Sequence, residues 1–117
     1  MDQGHIDIAA KGPKSWNDWV ESSSPVEVDF SEATLEFSFR DFVFPIDADF
    51  RKTHFELGDF RNTKFLSADF SEARFSKRAN FKDSTFRYAD FTEAQFNQSA
   101  HFEGVRFEEE SDFIPRV

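Results

Sequence analysis

The sequence contains no cysteine. That absence excludes a disulfide framework and a thiolate metal site, and it allows a reducing compartment, with the cytoplasm as the default expectation. No apolar run approaches the ~20 residues needed to span a bilayer, and no basic segment leading into an apolar one marks an export signal at the start. No Gly-rich phosphate loop occurs, no Ser-His-Asp set falls into a recognisable arrangement, and His5, His54 and His101 are not spaced as metal ligands. Basic charge is also scarce: 14 Lys and Arg stand against 23 Asp and Glu, a net charge of −9. Such a balance disfavours direct binding to nucleic acid or to an anionic membrane and suits a basic or neutral partner better.

Aromatic residues other than phenylalanine are few, with one Tyr and two Trp, yet 18 of the 117 residues are Phe. From residue 50 onward these Phe keep a beat. They fall at Phe50, Phe55, Phe60, Phe65, Phe70 and Phe75, then at Phe81, Phe86, Phe91 and Phe96, then at Phe102 and Phe107, and last at Phe113. Five residues turn an α-helix by about 500° and reverse the face of a strand, so neither element puts this repeat on one side. A small or short side chain lies two positions before each Phe, as at Ala48, Thr53, Gly58, Thr63 and Ala68, and polar residues occupy the other places. One large and one small side chain per five therefore point inward. The pattern predicts a narrow square tube with Phe50 through Phe107 as its core, four units to a turn and ~4.8 Å between turns. The first two six-residue steps, Phe75 to Phe81 and Phe96 to Phe102, lie one turn apart and are expected on the same corner.

The units Ala48-Asp49-Phe50-Arg51-Lys52, Ala68-Asp69-Phe70-Ser71-Glu72 and Ala89-Asp90-Phe91-Thr92-Glu93 resemble the pentapeptide repeat family in its Phe-centred form, from about Val28 to Pro115. The stretch Ile6–Val20, with Trp16-Asn17-Asp18-Trp19, resembles the lead-in of bacterial members. The resemblance implies an all-β fold, a right-handed quadrilateral β-helix of about four turns, and often a homodimer formed through one end. It implies no single activity. Its quinolone-resistance-type members resemble B-form DNA and act on DNA gyrase.

The chain accordingly divides into a lead-in at 1–27 and a repeat region at 28–117. Ser15 is expected to cap a helix over Trp16–Ser22 whose Trp16, Trp19 and Val20 cover the first coil. The register slips over 36–47, where Phe37, Phe39, Phe42 and Phe44 crowd into eight residues. A core taking one Phe per five cannot hold all four, so this segment is either packed against the lead-in or a protein or dimer interface. Arg74, Lys77 and Arg78 form a basic candidate for an acidic partner surface. Asp29, Asp49, Asp69, Asp90 and Asp112 are expected in one column, bonded to corner amides. Net charges of −7, +2 and −4 over 1–47, 48–78 and 79–117 count against a uniformly acidic DNA mimic. With no catalytic, cofactor or metal residues to assign, the reading is a non-catalytic protein-binding or scaffold module, with gyrase modulation by DNA mimicry as the alternative.

Overall fold

Two short parallel sheets, wound from one strand per coil, make up most of the computed structural model, which describes residues 1–25 and 27–108. After helices α1 (Gln3–Ala9) and α2 (Pro13–Ser23) come β1 (Glu27–Asp29), β2 (Thr34–Leu35), β3 (Val43–Asp49), β4 (His54–Phe55), β5 (Lys64–Asp69), β6 (Arg74–Phe75), β7 (Thr85–Asp90), β8 (Gln95–Phe96) and β9 (Arg106–Phe107). One sheet runs β1-β3-β5-β7-β9 and the other β2-β4-β6-β8. Each strand pairs with the strand one coil on, so Ala48, Ala68 and Ala89 share a column, as do Phe55, Phe75 and Phe96. A third side is held by bridges joining Asp59, Asn80 and His101. The result is a β-solenoid of about four turns.

Its interior is four columns of rings. On the first side Phe30, Phe50, Phe70 and Phe91 stack with centroids 5.1, 4.8 and 4.9 Å apart. The second side carries Leu35, Phe55, Phe75 and Phe96, with ring separations of 4.9 and 4.7 Å. The third holds Phe39, Phe60, Phe81 and Phe102, and the fourth Phe44, Phe65, Phe86 and Phe107, all near-parallel to their neighbours in the column. Across the tube, the opposite first and third columns meet edge to face, as Phe60 meets Phe70 at 90°. Both arrangements are the ones that the ring quadrupole favours. The small residues beside them, from Ala48 to Ala94, are buried, and Thr53, Thr63 and Ser84 donate their hydroxyls to the carbonyls of Phe30, Phe39 and Phe81.

The corners explain the polar half of the repeat. After Phe50, Phe70 and Phe91 the chain makes a turn closed by the amide of the fourth residue on the Phe carbonyl. The third residue has positive φ, the mark of a type II turn: Lys52 56°, Glu72 57° and Glu93 58°. The third side turns alike at Asn62, Asp83 and Gly104. For a residue other than Gly that conformation costs roughly 1 kcal/mol. It also aims the amide along the tube, where it bonds the next coil, Lys52 to Ser71 and Asn62 to Lys82. The amide in between is taken by the side chain that precedes the Phe: Ser31, Arg51, Ser71 and Thr92 donate to Asp29, Asp49, Asp69 and Asp90. The acidic column is thus held by its own corners, and its expected fifth member, Asp112, lies outside the described residues. Asp59 does the same for Arg61 and also accepts its guanidinium at 2.9 and 2.8 Å. Burial raises the Asp59 carboxyl, but the bonds from Arg61 and Ser38 and the guanidinium charge outweigh it and hold the carboxyl below the usual range.

The inserted residues of the steps Phe75 to Phe81 and Phe96 to Phe102 occupy the same corner, between the second and third sides. In the first coil that corner is shorter, from Leu35 to Phe39, and the deficit is restored as a bulge between Phe44 and Asp47. The six-residue step ending at Phe113 lies outside the described residues.

The lead-in differs from expectation at its start. The helix begins at Pro13 with Gly12 (φ 106°) before it, and Ser15 lies inside the first turn rather than at the cap. Proline suits that place because its missing N–H would have no partner there. A second helix, α1, capped by the Asp2 side chain on the amides of Gly4 and His5, was not expected.

Two measurements test this account. In urea unfolding, Phe70→Ala should cost about 3–5 kcal/mol, because coils on both sides prevent collapse of the gap, while Phe107→Ala, at a column's end, should cost about 1 kcal/mol. Because the folded-state Asp59 carboxyl titrates below its unfolded value of ~3.9, its stabilisation is complete above that pH and is lost as pH falls through the folded value. Stability should therefore decline on acidification below about pH 4, and Asp59→Asn, which keeps the turn as Asn80 does one coil on, should flatten that decline.

Candidate functional site

The crowded segment turns inward. Phe39, Phe42 and Phe44 are fully buried and Phe37 is half-buried, so the Phe cluster that the sequence offers as an interface presents almost no surface. The one-in-five count fails here for a physical reason. Phe39 and Phe44 take the large positions of the first coil, whereas Phe37 and Phe42 stand where later coils have Gly58 and Thr63. The first coil has no coil before it, and α2 supplies the cover instead.

That cover stands in for a coil. Trp16 packs on Phe30, Phe42 and Phe44 with centroids 5.3–5.7 Å away, and Trp19 and His5 continue the layer outward. Side chains then satisfy the backbone that a preceding strand would have met. Trp16 Nε1 donates to the Val43 carbonyl at 3.1 Å, Asn17 accepts from the Val43 amide at 2.9 Å and donates to the Asp41 carbonyl at 3.0 Å. His5 Nδ1 accepts from the Asp29 amide at 3.1 Å, and the Asp2 amide donates to the Asp29 carbonyl at 2.9 Å. Sequence reading found the two Trp by their helical spacing; Asn17 and His5 gave no signal, since their partners are main-chain atoms on other coils.

At the far end, Phe96 and Phe102 are half-buried and Phe107 is 43% exposed. These three were expected in the core with the rest. They stand in the columns, each as the last described ring of its column.

The outer sides carry the remaining candidates. Arg74, Lys77 and Arg78 are exposed at the widened corner of the third coil, and none forms an ion pair with a described residue. His54 lies one coil earlier in the Arg74 column and bonds Ser76 through Nε2. Acid gathers on the first side, where Glu27, Asp29, Glu32, Asp47, Asp49, Asp69, Glu72, Asp90 and Glu93 face outward or along the corner against Arg51 and Lys52. Although burial raises the Asp29 carboxyl, bonds from the Ser31 hydroxyl and amide and the N-terminal ammonium hold it below the usual range. On the fourth side the column of Val43, Lys64, Thr85 and Arg106 runs beside Pro45, Leu66, Arg87 and Glu108. Charge is therefore sorted around the tube as well as along it, and only the second of these sortings is visible from segment totals. Among the described residues no cluster of His and carboxylates could hold a metal ion, and no helix is long and apolar enough to cross a membrane.

No curated protein and no solved structure matches the chain. A family model does: residues 60–106 match Pentapeptide repeats (9 copies). The matched residues comprise the third and fourth sides of the second coil, all of the third and most of the fourth, and the same columns and turns run on toward the front as far as Val28. The Phe beat, the small residue two places before it, the Asp-bonded turns and the family match converge: residues 60–106 are pentapeptide repeats, and the columns that run on to the front continue the same solenoid.

Proposed function

We propose that this protein is a non-catalytic binding or scaffold module that engages another protein through the outside of its tube, in the cytoplasm. The observation that carries this reading is the filled interior: rings in contact from Phe30 to Phe107 occupy the space inside the coils, so recognition falls to the side chains on the four outer sides and to the last coil. The corner bearing Arg74, Lys77 and Arg78 favours an acidic protein surface, because these cations stand together without an ion pair to any described residue. The incompletely covered Phe96, Phe102 and Phe107 favour association of two copies at that end.

A second reading, modulation of DNA gyrase by DNA mimicry, gains from the acidic first side, which runs the length of the described tube. The near-neutral third side weighs against it, since a duplex is acidic all round.

Capture from native lysate should recover a stoichiometric partner that is lost when Arg74, Lys77 and Arg78 are all changed to Glu, with circular dichroism unchanged; retention of the partner by that variant would remove the corner from the interface. In a gyrase supercoiling assay, inhibition or protection at near-stoichiometric protein that disappears with Asp69→Asn and Glu72→Gln would establish the second reading. Inactivity there would eliminate it.

A further inference from the structure

Two main-chain amides on the front edge of the first coil are held by side chains of the lead-in instead of by a preceding strand. Asn17 Oδ1 accepts from the Val43 amide at 2.9 Å, and His5 Nδ1 accepts from the Asp29 amide at 3.1 Å. The two acceptors differ in one respect: a carboxamide does not titrate, whereas an imidazole does so near neutral pH. A ring nitrogen that accepts an N–H must be unprotonated, so the bond to Asp29 fixes His5 as the neutral tautomer with its proton on Nε2. That nitrogen lies 3.5 Å from Asp2 Oδ2. Alongside, the Asp2 amide donates to the Asp29 carbonyl at 2.9 Å, and Asp2 Oδ1 caps α1 on the amides of Gly4 and His5. His5 and Asp2 therefore tie α1 to β1 at one residue, Asp29.

The groups around His5 decide how this tie responds to acid. The lead-in contributes the Asp2 carboxylate, and β1 contributes the Asp29 carboxylate, which is bonded to Ser31 and lies 3.5 Å from the Met1 ammonium. Glu27, two residues earlier on β1, is exposed. From α2 comes the Trp19 ring, its centroid 5.4 Å away, and the residues a turn to either side of it, Ser15, Trp16, Ser22 and Ser23, carry no charge. Asp2 attracts an imidazolium whether or not β1 is in place, whereas the Asp29 bond exists only for the neutral ring. The docked state therefore binds the proton less well than the released one, and acid favours release. The Met1 ammonium keeps its charge on acidification. The Asp29 carboxyl, which burial raises but Ser31 and the ammonium hold below the usual range, stays ionised where imidazoles titrate. We infer that His5 is a pH-operated latch on the front cap: neutral, it docks α1 on β1, and protonated it releases α1 while α2 stays seated through Trp16 and Asn17. Release frees the Asp29 amide and carbonyl on the edge of β1 and withdraws Ile6 and Ile8 from the core. The front of the tube thus offers a strand edge and apolar surface only in acid. This device lies outside the reading of the tube's outer sides as a binding surface and does not depend on it.

The test follows amide hydrogen exchange by NMR in the full chain at about pH 7.5 and about pH 5.5, which bracket the titration of an unperturbed imidazole, with rates corrected for the intrinsic effect of pH. Protection of the Asp29 amide should fall about tenfold or more on acidification, since each pH unit below the titration favours the proton-binding state up to about tenfold. The Val43 amide, held by Asn17, should change little, and so should the Phe50 amide, which bonds Asp69 inside the tube and reports that the tube is folded. In His5→Asn the carboxamide oxygen takes the place of Nδ1 as acceptor and binds no proton, so the pH dependence at Asp29 should vanish whatever its absolute protection. Constant protection of Asp29 at the two pH values, an equal fall at Val43, or a fall at Asp29 that persists in His5→Asn overturns the inference.

Discussion

The stacking of one phenylalanine ring on the next, one coil away, sets the geometry of everything else. Ring centroids in the middle of the tube lie 4.7–4.9 Å apart, the spacing at which parallel strands hydrogen-bond. Side-chain and main-chain periodicities therefore agree, and neither has to yield. Because four columns crowd one narrow tube, the residue two places before each ring must be small, and the corner must turn within two or three residues. The positive φ at the corner and the aspartate that bonds its amide follow from that demand.

A tube built this way has two ends with different solutions. At the front, the two helices imitate a coil: the Trp rings of α2 continue the columns, and Asn17 and Trp16 of α2 with His5 of α1 offer the polar atoms that a strand would have offered. Toward the other end the last described rings of three columns, Phe96, Phe102 and Phe107, are less enclosed than their predecessors. Sides and ends thus divide the labour. The interior specifies the fold, and outward side chains are left to vary from coil to coil, as Pro45, Leu66, Arg87 and Glu108 do in one column.

Much of this was legible in the sequence because the period is written in a single residue type. From Phe50 onward the beat gives the columns, the square section and the corner shared by the two longer steps. Legibility stops where a contact is not periodic. For the segment holding Phe37 and Phe42 the sequence leaves packing against the lead-in and an interface both open, because the count per coil assumes a neighbour on each side, whereas the first coil meets a helix. The polarity of the fourth side was missed for another reason: Lys64, Arg87 and Arg106 are about twenty residues apart in sequence, and only the coil register brings them into one field.

The ring contacts in the repeat region join residues about one coil apart or less, as Phe50 joins Phe70 and Phe60 joins Phe70. No pairing in the tube requires distant parts of the chain to meet first. A fold of this kind can grow like a zip, each finished coil serving as the template for the next, and its weakest link is the first coil, which has no template. Here that link is the one that α2 covers. The helix that shields the front from solvent gives the first coil the neighbour it would otherwise lack, so growth can start there as well as from any coil within the tube.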